Sequence, residues 1–149
     1  MLIEEVARRL LEGIKVVRKT KMPDGAEVET PWVVGLRDRA LIAVKTYSLA
    51  RIGAVVAMRV EYYYPEGKRW WVRLHEKGGK RHEMPVHHKL EAYLDEYLDA
   101  AGLRGDGKGP LFRSAAGKSS TLTATAMTRV DAYRDQFSDE TENLCSRPR

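Results

Sequence analysis

The chain has 149 residues, 43% hydrophobic and 32% charged, the balance of a single water-soluble domain with a modest core. Its one cysteine, Cys145, excludes an internal disulfide and any multi-cysteine metal site. No apolar run is long enough to span a bilayer and no leader-like segment opens the chain, so a cytoplasmic protein is expected; the formal net charge of +5 favours a polyanionic partner such as nucleic acid.

Ile3, Val6, Leu10 and Ile14 recur at helical spacing among Glu4, Glu5, Arg8, Arg9 and Glu12, which predicts an amphipathic helix over about residues 2–15. Arg18 to Pro31, with Pro23-Asp24-Gly25 amid charges, reads as an exposed loop. A second helix is predicted over about 35–48, burying Leu36, Ala40, Leu41, Val44 and Tyr47. A third runs over about 51–58 from Arg51 and carries Ile52, Val55, Val56 and Met58. Strand signals follow and predict a three-stranded antiparallel sheet between about 60 and 87. Val60 to Tyr64 leads to a turn at Pro65-Glu66-Gly67, Trp70 to Leu74 forms the middle strand, and His82 to Val86 returns. Trp70 and Trp71 adjoin in a strand and must point to opposite faces.

Leu90, Tyr93, Leu94, Tyr97, Leu98 and Ala101 mark a helix over about 88–101, closed by Gly102. Gly105 to Gly109 reads as a loop, Leu111-Phe112-Arg113 as a short buried segment, and Ala115 to Thr125 as polar and loosely structured. A last helix is predicted over Met127 to Phe137. Ser138 to Arg149 is polar, lacks apolar periodicity and reads as a disordered tail. The fold class is α+β, mostly helical with a small three-stranded antiparallel sheet.

Val72 to Val86, VRLHEKGGKRHEMPV, is the most informative stretch. Gly78 and Gly79 can take the positive φ angles of a tight hairpin turn, so Lys77, Lys80 and Arg81 sit together at a hairpin tip. Such a tip is shaped to reach an anion, although a charged turn can equally serve solubility. Tyr62, Tyr63, Tyr64, Tyr93 and Tyr97 read as packing residues. His75, His82, His87 and His88 lack the acidic arrangement that would suggest zinc.

Four motifs stand in a telling order: Leu36-Arg37-Asp38-Arg39-Ala40-Leu41, Ser48-Leu49-Ala50-Arg51-Ile52, Met58-Arg59-Val60-Glu61, and His75 to Arg81 followed by Met84-Pro85-Val86. Together they resemble the catalytic domain of tyrosine recombinases, the phage-integrase family, over about residues 1–135. The resemblance implies a site that works on DNA without a metal or other cofactor. In that site two arginines stabilise charge on the scissile phosphate, a hairpin lysine protonates the departing sugar oxygen, and a tyrosine attacks. By motif position Arg51 is the first arginine and Lys77 the hairpin lysine, while Lys80 and Arg81 are expected to contact DNA phosphates. Charge alone does not separate Lys77 from Lys80.

The sequence also departs from the family. Many members carry an acid three residues after the first arginine; here that position is Ala54. No His-x-x-Arg box occurs, and Tyr133, in Ala132-Tyr133-Arg134, lies where the family places a segment before that box. The family's second arginine and nucleophilic tyrosine are therefore missing, as is its N-terminal DNA-gripping helical domain. Residues 1–137 read as a partial integrase-like catalytic domain and 138–149 as an off-family tail, the pattern that a frameshift or deletion in an integrase gene produces. The expectation is a DNA-binding recombinase fragment without strand cleavage, marginally stable and with apolar surface left exposed. The alternatives are a non-catalytic interaction protein, or half of a split recombinase completed by a partner chain; besides DNA, the expected partner is a homo-oligomer mate or a complementing recombinase fragment.

Overall fold

A computed structural model describes residues 2–116 and 121–132. The first helix, α1, spans Leu2–Glu12 and ends one turn earlier than the apolar spacing predicts, with Gly13 N–H returning to the Arg9 carbonyl at 3.0 Å. Its buried face also differs from the predicted stripe. Leu11 is buried and Ile14 packs against the core, whereas Val6 and Leu10 are 52% and 60% exposed.

Residues 18–31, expected as a loop, form an antiparallel ribbon of β1 (Val17–Lys21) and β2 (Glu27–Pro31). The turn between them closes through Met22 N–H to the Ala26 carbonyl at 2.8 Å and Ala26 N–H to Asp24 Oδ1 at 3.0 Å. Every residue of both strands is exposed. A ribbon wet on both faces needs no apolar alternation, so the signal that betrays a half-buried strand is missing from it.

Helix α2 (Val33–Ser48) and helix α4 (His88–Ala101) pack along each other at the centre. Leu36, Ala40, Leu41 and Val44 of α2 and Leu90, Leu94, Tyr97 and Leu98 of α4 are buried in that core, as their spacing predicts, with Tyr47 half-buried beside them. Gly35 is required where the chain leaving α1 crosses α2, because an added Cβ would strike the Lys15 carbonyl oxygen. At its far end α4 stops at Gly102, φ 66°, and Leu103 turns back into the core.

The predicted sheet is present as β3 (Tyr63–Glu66), β4 (Arg69–His75) and β5 (Arg81–Pro85), antiparallel in that order. Val60–Tyr62 is a 3-10 turn and not strand, and β3 runs through Pro65 to turn at Gly67. Pro65 is tolerated because β3 is an edge. Tyr63, Val72 and Leu74 face the core, while Tyr64, Trp71 and Arg73 line the other face. Trp70 and Trp71 are both half-buried, Trp70 stacked on Tyr63 at 4.5 Å.

Ala115 to Thr125 was expected to be loose, yet β6 (Arg113–Ala115) pairs with β7 (Leu122–Ala126). The Ser114 and Thr123 hydroxyls meet across this ribbon at 2.5 Å, a polar pairing without an apolar signature. A helical turn follows at 129–132; the rest of the predicted last helix, and the tail, lie outside the described residues. No helix among the described residues is long and apolar enough to cross a membrane.

The join between α2 and α3 (Ile52–Val56) carries the one described non-glycine residue at positive φ, Leu49, with φ 58° and ψ 19°. Its side chain is 88% exposed, so it gains nothing from burial to offset the left-handed backbone. Leu49→Gly is therefore expected to stabilise the chain by about 0.5–1 kcal/mol, read as a higher urea midpoint at unchanged slope.

Candidate nucleic-acid interface

Arg51 is fixed by the way α2 ends. Leu49 N–H returns to the Lys45 carbonyl at 2.9 Å, Ser48 Oγ accepts from Ala50 N–H at 3.2 Å, and Ala50 is buried. The chain then extends, and Arg51 becomes the residue preceding α3, its carbonyl accepting from Ala54 N–H at 3.0 Å and Val55 N–H at 3.2 Å. A rigid backbone thus presents an exposed guanidinium. No carboxylate partners it among the described residues. Ala54, at the position of the absent acidic brace, is 9% exposed and part of the core.

Lys77 lies on the five-residue turn between β4 and β5, closed by Glu76 N–H to the Lys80 carbonyl at 2.8 Å, with Gly78 and Gly79 at φ 85° and 76°. Lys77, Lys80 and Arg81 are all exposed on this tip, and Arg81 reaches Glu83 at 4.0 Å. Helix α3 packs on β4, so the element that carries Arg51 rests on the strand that carries the hairpin. No hydrogen bond or ion pair joins Arg51 to Lys77 among the described residues.

Nothing in the family-like motifs points to Arg129, the first residue of the helical turn at 129–132. Its Cδ and Nε lie 3.7 Å from where a Cβ on Gly53 would sit, two residues beyond Arg51. Thr128 and Asp131 form a reciprocal cap: Asp131 N–H donates to Thr128 Oγ1 at 3.1 Å and Thr128 N–H to Asp131 Oδ2 at 3.4 Å. The Thr-x-x-Asp spacing is the one sequence signal that fixes where Arg129 stands.

Tyr63 and Tyr97 are buried packing residues. Tyr63 donates to Asp95 Oδ1 at 2.9 Å and Tyr97 to the Leu111 carbonyl at 2.6 Å. Burial, then the hydrogen bond to Asp95, pushes the Tyr63 phenol well above the usual tyrosine range; burial does the same to Tyr97. Neither phenol is activated for attack. Tyr62 meets His75 edge-on at 4.8 Å, and Arg73 lies over the Tyr64 ring at 5.1 Å. Tyr133 lies outside the described residues. His87 is used as the cap of α4, its Nδ1 accepting from Lys89 N–H at 3.2 Å.

The raised phenols have a measurable consequence. Above the ordinary tyrosine value of 10.0 the unfolded chain loses these protons while the folded chain keeps them. Their contribution is therefore fully present below that pH and is lost as pH rises beyond it. Urea midpoints are expected to fall from about pH 9 to about pH 11, and to fall less steeply in Tyr63→Phe and Tyr97→Phe.

No protein-family model matches the sequence, and no curated protein matches it. Solved structures do. The XerH site-specific recombinase bound to a palindromic difH substrate, in a post-cleavage complex, aligns with a TM-score of 0.61 at 20% identity, over 96% of this chain and 35% of that one. XerH bound to difH substrate in a pre-cleavage complex aligns with a TM-score of 0.56 at 18% identity, over 98% of this chain and 37% of that one. The described α+β fold is similar to that of these site-specific recombinases, and the chain spans about a third of the length of these neighbours.

Proposed function

We propose that this chain is a DNA-binding fragment of tyrosine-recombinase type, which holds backbone phosphates through Arg51 and the Lys77, Lys80 and Arg81 hairpin tip and does not cut a strand by itself. The observation that carries this reading is Arg51. It is an exposed arginine that meets no carboxylate among the described residues, held on a rigid turn, in a fold similar to that of recombinases bound to their DNA substrate. A guanidinium offers forked, charge-assisted hydrogen bonds to phosphate oxygens, and Lys77 adds a mobile cation on a flexible stem. A DNA partner favours the cytoplasm as the compartment.

Phosphate contacts supply affinity without sequence information, so duplex binding is expected to be weak, sequence-tolerant and lost as salt rises. In fluorescence anisotropy with a labelled duplex, Arg51→Ala/Lys77→Ala is expected to weaken binding about tenfold or more. Binding that ignores salt, or that survives the double substitution, would overturn the reading.

Cleavage needs more than cations. Stabilising phosphate charge accelerates a displacement only when a nucleophile stands in line, and the Tyr63 and Tyr97 hydroxyls are engaged elsewhere. Incubation with a suicide DNA substrate is therefore expected to give no slower-migrating covalent adduct on a denaturing gel. An adduct abolished by Tyr133→Phe would make Tyr133 the nucleophile. A second reading, a split enzyme completed by a partner chain, is favoured by the exposed apolar residues Leu49 and Val130, 88% and 65% accessible beside the cations.

A further inference from the structure

We infer that His87 is a pH-sensitive latch between α2 and α4: with a neutral ring it caps α4 and stacks on α2, and a proton on that ring opens the cap. The inference stands on the fold alone and does not use the DNA-binding reading.

His87 is the residue preceding α4, with φ −64° and ψ 145°, and its Nδ1 accepts from Lys89 N–H at 3.2 Å. The N–H groups of a first helical turn have no intrahelical carbonyl, so this bond meets a donor that the helix itself leaves open. To accept, Nδ1 must be bare, which fixes the ring as the neutral tautomer with its hydrogen on Nε2. The protonated ring carries N–H at both nitrogens. One donor then faces another, and the cap is lost.

The surroundings act on the same proton. The ring lies 4.1 Å from that of His88, the first residue of α4, so a proton on one ring disfavours a proton on the other. Both stand at the positive end of the helix dipole, with Lys89 next in the chain. Glu91, the acid of the first turn, acts on Tyr63. From α2 the ring meets Tyr47, parallel within 13° at 4.9 Å, and Lys45 stands in the same last turn. The Tyr47 face pulls the other way, because a cation over an aromatic ring is attracted. That is one favourable contact against a lost cap, a like neighbour and the helix dipole, so the folded chain favours the neutral ring.

The latch sits at a joint. Tyr47 precedes Ser48, whose Oγ accepts from Ala50 N–H in the turn out of α2, and Glu91 N–H donates to the His87 carbonyl at 2.9 Å. His87 is exposed, so solvent protons reach it with the core closed. The unfolded chain takes the proton more readily. The contribution of the cap is therefore fully present above the ordinary histidine range, about pH 6.5, and is lost as pH falls through it.

Urea midpoints of the full chain at about pH 8 and about pH 5 test the latch. The parent is expected to lose about 0.3–1 M through the cap. His87→Asn keeps a capping side chain that does not titrate, so that share of the fall is expected to vanish, leaving what His75, His82 and His88 contribute. His87→Ala is expected to lie about 0.3–1 M below the parent at the higher pH and to meet it at the lower. An equal fall in the parent and His87→Asn would assign the acid sensitivity to the other histidines and overturn the inference. An alanine variant that matches the parent at the higher pH would overturn it too. Hydrogen exchange on the parent depends on no variant folding. Protection of the Lys89 amide, corrected for the intrinsic effect of pH, is expected to drop about fivefold between about pH 7.5 and about pH 5.5. Protection that holds at the lower pH would sink the latch whatever the midpoints show.

Discussion

A charged group inside the core holds this molecule together. Arg37 is 4% exposed, and a guanidinium removed from water costs several kcal/mol unless its donors are met. Here Nε and Nη2 donate to Asp38 at 3.0 and 2.8 Å, and Nη1 to the Arg113 carbonyl at 2.9 Å, 76 residues away. Arg113 repeats the device, with Nη2 on Asp106 at 2.7 Å and Nε on the Pro110 carbonyl at 2.9 Å. The segment between them is thereby fastened to α2, where Leu111 and Phe112 are fully buried. From Phe112 the order passes to Met127 and so to Arg129, while α2 itself leads into the turn at Arg51. The turn at Arg51 and the segment at Met127 are therefore tied to one another through one buried arginine.

What the sequence revealed follows from where each element meets the core. The helix at 88–101 was legible to the residue, because one face is buried throughout and a glycine ends it. The hairpin was legible because Gly78-Gly79 divides two half-buried strands. The β1–β2 and β6–β7 ribbons were not. The first has no buried face, and the second is built from short Ser, Thr and Ala side chains whose pairing leaves no periodic trace. Helix α1 misled in another way: its apolar stripe is real, but Leu11 and not Leu10 takes the buried place. Spacing identifies a face, and only the packing of α2 decides which edge of it is covered.

The same division holds for the candidate site. Arg51 and Lys77 were named from sequence because each lies in a family-like motif. Arg129 was not, since its contact with Gly53 joins positions 76 residues apart and appears only when the core brings the two segments together. Leu49 shows the cost of the same turn. Its left-handed backbone reverses the chain directly before Ala50 and Arg51, and the strain sits where the cation must be aimed.

A phosphate held by arginines is not yet a phosphate attacked. Catalysis requires contacts that strengthen as charge moves onto the phosphate oxygens in the transition state; cations that bind ground and transition states alike add affinity only. Ala54 in place of an acid has a double effect here. With no carboxylate partner among the described residues, Arg51 would keep its full charge for a phosphate, and with no brace its guanidinium would not be pre-set to one geometry. Such an arginine favours capture over alignment. The site as proposed would favour holding DNA, and cutting would need both a nucleophile in line and a guanidinium fixed in one geometry.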